Sequence, residues 1–417
     1  LTPSDDDILA LVRGWFGPVP PAKLAIALSG GGDSVALLHI LTRAFAPGQV
    51  QLFAATVDHG LRAEAAQEAE QAGQQAAALG VAHTVLRWRG WQGRGNLQDV
   101  ARSARYDLLC DWAQAQGIGA LAVAHTADDQ AETLLMRLGR AAGVAGLSGI
   151  PARRLRGGVM ILRPLLDIGR ADLRAYLRRN GLSWAEDPSN QDLRYTRVRA
   201  RAAMADLAPL DVTPAALASV ARNMARADEA LGWAAFEAAR HASRVVAGCV
   251  VLAPRALRLM PEEIARRLLL GALGWVGGGA YPPRRRPLAA LLEDLHQGRP
   301  ATLAGCRVVH HRDEIWICRE VKALHDARVA PGALWDRRWR VTGPQPKGCE
   351  IAALGAAGLA QCPDRAETGL PRAALEPSPA VWRGGALIAA PLAGWGAGWR
   401  AESAAEGPGF PAGLLSH

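Results

Sequence analysis

Lysine is almost missing from this chain. Of its 48 Lys and Arg residues only Lys23, Lys322 and Lys347 are lysine, so arginine carries the formal net charge of +9. Beside so many alanines this reads as coding bias, and the charge alone is weak ground for a polyanionic partner. Cysteine is sparse. Cys110, Cys249, Cys306, Cys318, Cys349 and Cys362 form no CxxC pair and keep no metal-ligand spacing with histidine. That excludes a structural zinc and a disulfide framework and predicts reduced thiols. No long uninterrupted apolar run is present, which excludes a membrane helix. The opening LTPSDDDILA is acidic and lacks the basic-then-apolar order of a signal peptide, so the cytoplasm is the expected compartment. Leu rather than Met in first place predicts a start that is trimmed or incomplete. Two phosphate motifs are also missing. Without GxxxxGK(S/T) the chain has no usual kinase or GTPase cradle, and without GxGxxG it has no dinucleotide fingerprint.

What remains is a chain of 417 residues, 50% hydrophobic and 21% charged, enough for two or three globular domains. Its first two hundred residues alternate short apolar runs with helical patterns. Strands are expected at 24–28, 50–58, 82–88 and 120–125, and helices at 34–45, 63–79, 96–116 and 128–138. That order predicts the α/β class: a parallel sheet with helices on both faces, and ligands at the carboxyl ends of the strands. The loops after Leu28, Val57 and Ala124 are therefore the places to look. Residues 1–205 form the expected first domain. From 206 to 328 a mainly helical second domain is expected, closing in a β-hairpin that turns near Arg312-Asp313. Residues 329–417, rich in Gly, Ala and Pro, read as a small C-terminal module or a partly mobile tail.

Between the first strand and its helix stands Ser29-Gly30-Gly31-Gly32-Asp33-Ser34. Glycines let backbone N–H groups approach phosphate oxygens, and the helix N-terminus behind them favours negative charge. Ser29 and Ser34 add hydroxyl donors. With no Walker lysine there is no point charge for a γ-phosphate, which suits a loop that holds a departing pyrophosphate. Farther on, AHTADDQAET puts Asp128, Asp129 and Glu132 at a helix start. Three carboxylates there suit Mg²⁺, or the orientation and deprotonation of an amine. Ordinary capping is the alternative, since Thr126-x-x-Asp129 is a capping-box pattern. Arg102 and Tyr106 share a helix face. The turn at Asp187, Ser189, Asn190 and Asp192 precedes Arg194, Arg197, Arg199 and Arg201, with Tyr195 among them. Arginine forks and an aromatic platform are what RNA contact needs, and a solvated helix face is the alternative.

SGGGDS resembles the SGGxDS loop of the PP-loop ATP pyrophosphatases, whose fold is adenine-nucleotide alpha-hydrolase-like. These enzymes cleave ATP between its α- and β-phosphates and adenylate a substrate. SGGGDS, DHGLR, DDQAET, GLSGI, RPLL and EDPSN with its following arginines are similar, in that order, to the bacterial tRNA(Ile)-lysidine synthase family. The likeness is strong over 22–205, weaker through the helical region and faint beyond about 330. Two positions depart from the family pattern: Ala124 stands where a second His is common, and Val198 where an Asn is common.

The resemblance implies ATP as co-substrate with Mg²⁺. It implies that Ser29, Gly30, Gly31, Gly32, Asp33, Ser34, Asp58 and His59 bind ATP. Asp33, Asp128, Asp129 and Glu132 become the catalytic candidates, with Asp33 and Asp129 on the metal and His125 a lesser one. Arg102, Arg105, Asn190, Arg194, Arg197, Arg199 and Arg201 are assigned to tRNA, which the helical domain also contacts. The implied reaction adenylates C2 of the wobble cytidine of tRNA(Ile) with a CAU anticodon. Free L-lysine then displaces AMP, and codon reading moves from AUG to AUA. The rivals are a tRNA thiolase, another PP-loop adenylating enzyme, and a non-catalytic RNA-binding relative. Against a thiolase stands Cys110, alone among the first 248 residues.

Overall fold

The apolar runs of the first two hundred residues become strands covered on both faces. In the computed structural model, residues 2–60, 65–90, 97–185, 194, 196–279, 283–344, 347–404 and 409–415 are described. Two units emerge, Leu1–Asp228 and Glu229–His417. The break expected at 205/206 falls inside the first of them and that at 328/329 inside the second.

The first unit runs α1 (Asp5–Phe16), β1 (Lys23–Ala27), α2 (Gly32–Ala44), β2 (Gln51–Asp58), α3 (Ala65–Ala78), β3 (Ala82–Arg87), α4 (Leu97–Ala115), β4 (Ala120–Ala122) and α5 (Ala127–Leu138). It continues through α6 (Val144–Leu147), β5 (Arg153–Arg156), β6 (Val159–Leu162), α7 (Arg170–Arg179) and α8 (Thr196–Leu207) to α9 (Pro214–Ala242), within which the unit ends. The sheet order is β3-β2-β1-β4-β6-β5, parallel throughout except for β5 against β6.

Side chains alternate across this sheet as strand geometry demands. Leu24 and Ile26 of β1, with Leu28 just beyond it, pack against α1, α2 and α7. Ala25 of β1 and Ala55 of β2 face Tyr106, Leu109 and Ala113 of α4. The α2 helix is the core of the unit, with Leu37, Leu38, Ile40 and Leu41 fully buried. At about 1.5–3 kcal/mol for each such side chain, that burial holds the N-terminus of α2 firmly against the end of β1. The chain runs β1-β2-β3 one way and then crosses back to place β4 on the other side of β1. Loops after β1 and β4 therefore diverge, leaving a crevice at the carboxyl edge. β4 is shorter than its apolar run. Its ladder ends at Ala122, because the chain bends out to cap α5.

In the second unit, Ser243–Val246, Cys249–Leu252, Glu314–Arg319, Cys306–His311 and Ala301–Leu303 form one antiparallel sheet, in that order. Helices Glu262–Gly277 and Arg285–His296 share its apolar core. The hairpin turns at Arg312-Asp313, where both φ angles are positive, as a two-residue I′ turn requires. Beyond it the chain makes two three-stranded sheets, Leu334–Trp335, Trp339–Thr342 and Arg400–Ser403, then Glu350–Ala353, Pro379–Arg383 and Ala386–Ala389. Of the two readings for this region, the described residues follow the module. No helix among the described residues is long and apolar enough to cross a membrane.

Candidate active site

The glycine loop closes on itself before any ligand arrives. Gly30 takes φ +79°, a conformation natural to glycine alone, and Gly31 follows at φ −73° as the N-cap of α2. Ser34 Oγ donates to the Gly31 carbonyl at 2.8 Å and accepts the Ser29 N–H at 3.1 Å. The Ala185 N–H donates to the Gly30 carbonyl at 3.0 Å, so the segment after α7 bridges the loop from the side. Gly32 has little room: a Cβ there would stand 3.3 Å from Arg174 Nε and from Trp184 Cδ1. The Arg174 guanidinium lies over the Trp184 ring at 4.9 Å.

Opposite the loop, α5 brings its acids to the end of β4. Thr126 and Asp129 form a capping box: Asp129 Oδ2 accepts the Thr126 N–H at 2.9 Å, and Thr126 Oγ1 accepts the Asp129 N–H at 3.4 Å. The capping alternative is thus realised, and it leaves Asp129 Oδ1 free to face the crevice. There it meets Arg170, the first residue of α7. Arg170 donates Nε to Asp33 Oδ2 at 3.2 Å, Nη1 to Glu132 Oε1 at 3.3 Å and Nη2 to Asp129 Oδ1 at 3.4 Å. Its own N–H donates to Asp128 Oδ2 at 2.7 Å. One residue touches all four carboxylates singled out above.

These charges set one another. Burial, with Asp129 nearby, pushes the Asp33 carboxyl above its ordinary range although Arg170 pulls it down. For Asp129 burial works the same way but loses to Arg170, Arg197 and the Thr126 N–H, which hold it below that range. Burial opposes the charge on Arg170, and the surrounding acids outweigh it and raise its pKa. Glu132, 1% exposed, also takes Arg197 Nε at 3.1 Å and Arg201 Nε at 2.8 Å. Residues 197 and 201 lie one helical turn apart and share the face of α8 that meets α5. Arg199 falls on another face, exposed, with Nη2 donating to Thr196 Oγ1 at 3.2 Å.

Between loop and acids lies a cavity of about 850 Å³, at the large end of small-molecule sites. Ser29, Gly31, Gly32, Asp33, Ser34, His59, Arg102, Arg105, Asp129, Arg197 and Arg201 line it, all expected at a site. Gly30, Asp58, Asp128, Glu132 and Arg199 do not. Asp58 folds back, accepting the Gly60 N–H at 2.9 Å. Asn190 lies outside the described residues, as do Asp187, Ser189, Asp192 and Tyr195, and Arg194 is exposed. Arg102 and Arg105 both stand over the Tyr106 ring, at 5.6 and 5.4 Å. His125 is buried. Arg163 Nε donates to its Nδ1 at 3.2 Å, and Arg102 Nη2 stands 3.4 Å from its Nε2. Burial, reinforced by those arginines, takes its pKa down to about 3, so it stays neutral. His59 is likewise held down, by burial and by Arg105.

Among the described residues no three His, Cys, Asp or Glu side chains are grouped to hold a metal by themselves. Mg²⁺ does not need such a cage: it keeps waters and takes one or two carboxylates with substrate phosphates. Asp33 Oδ1 is buried without a hydrogen-bond partner, and Asp129 is its neighbour. These residues fit a metal that arrives on a polyphosphate.

Residues 7–208 match the PP-loop domain family. The tRNA(Ile)-lysidine synthase of Ruegeria pomeroyi is 54% identical over 417 residues, covering 100% of both chains. The chain belongs to the tRNA(Ile)-lysidine synthase family. The enzyme of that name from Methylobacterium nodulans is 44% identical over 70% of this chain and 86% of its own, and that from Wolbachia pipientis wMel 34% over 79% of each. As a member of the tRNA(Ile)-lysidine synthase family the chain is a ligase-type, ATP-using enzyme. The crevice adds Arg170 and Arg174 to the residues read from sequence, and Arg163, the first residue of RPLL, holds His125 at its wall. Arg170 carries a local signal, its place at the start of a helix behind RPLLDIG. Cys110, a residue of α4, is buried with its thiol pKa pushed up by burial, a poor carrier of sulfur for the thiolase rival.

Proposed function

We propose that this crevice ligates free lysine to C2 of the wobble cytidine of tRNA(Ile) with a CAU anticodon. ATP lies with its phosphates on Ser29–Ser34. The C2 oxygen of the cytidine attacks the α-phosphorus, the α–β bridge breaks, and pyrophosphate leaves. The lysine ε-amine then adds to C2, loses a proton, and the C–O bond breaks to release AMP. Loop N–H groups and the dipole of α2 stabilise the departing pyrophosphate. Asp33 and Asp129, which face the cavity, are the proposed Mg²⁺ ligands, and Asp129 is also placed to orient the amine. When bound, Mg²⁺ supplies charge neutralisation for the leaving anions. Asp128 and Glu132 act from the wall by fixing Arg170, Arg197 and Arg201. Arg102 and Arg105 offer guanidinium groups to the anticodon nucleotide, which must be splayed from its stack to enter.

The observation that carries this reading is the open cavity between a preformed phosphate loop and a carboxylate pair. Its test is incubation with ATP, labelled lysine and tRNA transcripts. Label should enter only transcripts that carry the wobble cytidine. Label entering without RNA, or AMP release driven by another acceptor, overturns it. Compartment remains part of the proposal: an enzyme acting on tRNA belongs in the cytoplasm.

A further inference from the structure

Arg170 sits among three of the carboxylates of the site, Asp33, Asp129 and Glu132. Its three side-chain nitrogens each take a different carboxylate, from α2 and from α5, at 3.2–3.4 Å. Its side chain is 18% exposed, those of Asp129 and Glu132 12% and 2%. The fork is rigid, because the Arg170 N–H is itself tied to Asp128 and its helix packs through Leu173, Tyr176 and Leu177. Arg197 and Arg201 neutralise Glu132 from the other side, so the burden left to Arg170 is the Asp33–Asp129 pair.

We propose that Arg170 is a positioning residue, the built-in counter-ion of the Asp33–Asp129 pair, which holds both carboxylates in place and closes them to free divalent cation until nucleotide brings the metal in. The inference rests on the site reading above and deepens it, by making metal uptake depend on ATP. The physical ground is competition: two part-buried carboxylates that already share one guanidinium, through Asp33 Oδ2 and Asp129 Oδ1, gain less from a bare divalent ion that must shed water. A metal carried by phosphates meets a different balance, because the phosphates supply part of its shell and offer Arg170 an alternative anion.

The test is Mn²⁺ titration of the full chain without nucleotide, followed by electron paramagnetic resonance, on wild type, Arg170→Lys and Arg170→Gln. Wild type should bind Mn²⁺ only weakly at this site, and Arg170→Gln should bind one ion with affinity raised roughly 5–150-fold over wild type, the range of ordinary site–site coupling. Arg170→Gln combined with Asp33→Asn should lose that ion again. Equal uptake by wild type and Arg170→Gln overturns the proposal, as does a gain that survives Asp33→Asn. Should the Gln variant fail to fold, Arg170→Lys carries the test. One ammonium cannot fork to three carboxylates, so uptake above wild type is expected and uptake equal to it overturns the idea. With ATP, Mg²⁺ and the tRNA transcript present, ATP–pyrophosphate exchange by Arg170→Gln should fall in kcat more than it rises in KM, and guanidinium ion should restore part of the loss. None of the Mn²⁺ readouts involves lysine or tRNA, so failure of the ligation reading and failure of this one are separable.

Discussion

Asp128 Oδ2 accepts the backbone N–H of Arg170 at 2.7 Å, joining the first turn of α5 to the first turn of α7. The N-cap position of α7 is Gly169, which has no side chain to cap with. A carboxylate from 42 residues away therefore supplies what the helix's own sequence does not. Asp128→Ala should cost about 1 kcal/mol of stability, the usual value of a lost charged cap, and Asp128→Asn less, because the amide oxygen still accepts. Thermal melts of the two variants decide this. Equal melting temperatures for wild type and Asp128→Ala would show the bond to be incidental.

Gly30 should be intolerant of a methyl group for reasons of backbone alone. A Cβ there meets nothing closer than the Glu68 carbonyl at 3.5 Å, so space is not the obstacle. The obstacle is φ +79°, where an L side chain costs roughly 1–2 kcal/mol. The loop can relieve that cost by rotating, which turns the phosphate-facing N–H groups away. Gly30→Ala should thus lower kcat/KM for tRNA-dependent ATP–pyrophosphate exchange by about tenfold, equivalent to about 1.4 kcal/mol, with an unchanged far-ultraviolet spectrum. Normal exchange by a folded Gly30→Ala would show that the loop's shape is not what the nucleotide reads.

Local chemistry was legible in the sequence where it was local. Apolar runs of strand length, three glycines after a strand and Thr126-x-x-Asp129 each act within a few residues, and each sits where its pattern predicts. The Arg170 fork was not legible. Its partners Asp33, Asp129 and Glu132 lie 137, 41 and 38 residues away, and only the crossover that sets β4 beside β1 brings them together. The edge strand β5 is illegible for another reason. Arg153 to Arg156 reads Arg-Arg-Leu-Arg, with no apolar alternation to mark a strand, because an edge strand exposes most of its side chains.

His125 should make stability depend on pH in a defined window. Its pKa falls from 6.5 to about 3 on folding because burial disfavours the imidazolium. Between those values the unfolded chain takes up a proton that the folded chain refuses, so stability drops as pH falls. The slope approaches about 1.4 kcal/mol per pH unit for one such group. Above the unfolded value the contribution is fully present. His125→Gln keeps hydrogen-bonding capacity and does not titrate. It should melt below wild type near neutral pH, and the gap should narrow towards about pH 5. Parallel melting curves across that range would place His125 in a setting where charge costs nothing.

Arginines on the two faces of α8 should separate stability from RNA binding. Arg201 donates Nε to the deeply buried Glu132 at 2.8 Å, whereas Arg199 is exposed and donates to Thr196 in its own helix. Arg201→Ala withdraws one of three counter-ions from a carboxylate that cannot reach water. With Arg170 and Arg197 still in place and Arg201 itself partly solvated, about 1–3 kcal/mol of stability should be lost, far less than for a lone buried pair. Arg199→Ala should leave the melting temperature unchanged. If that face meets the phosphate backbone, the same variant should weaken tRNA binding and lower the slope of log affinity against log salt by about one. The measurement is a salt series of binding isotherms beside the melts. A stability loss in Arg199→Ala with an unchanged salt slope would reverse the division of labour and turn the exposed face of α8 into scaffold.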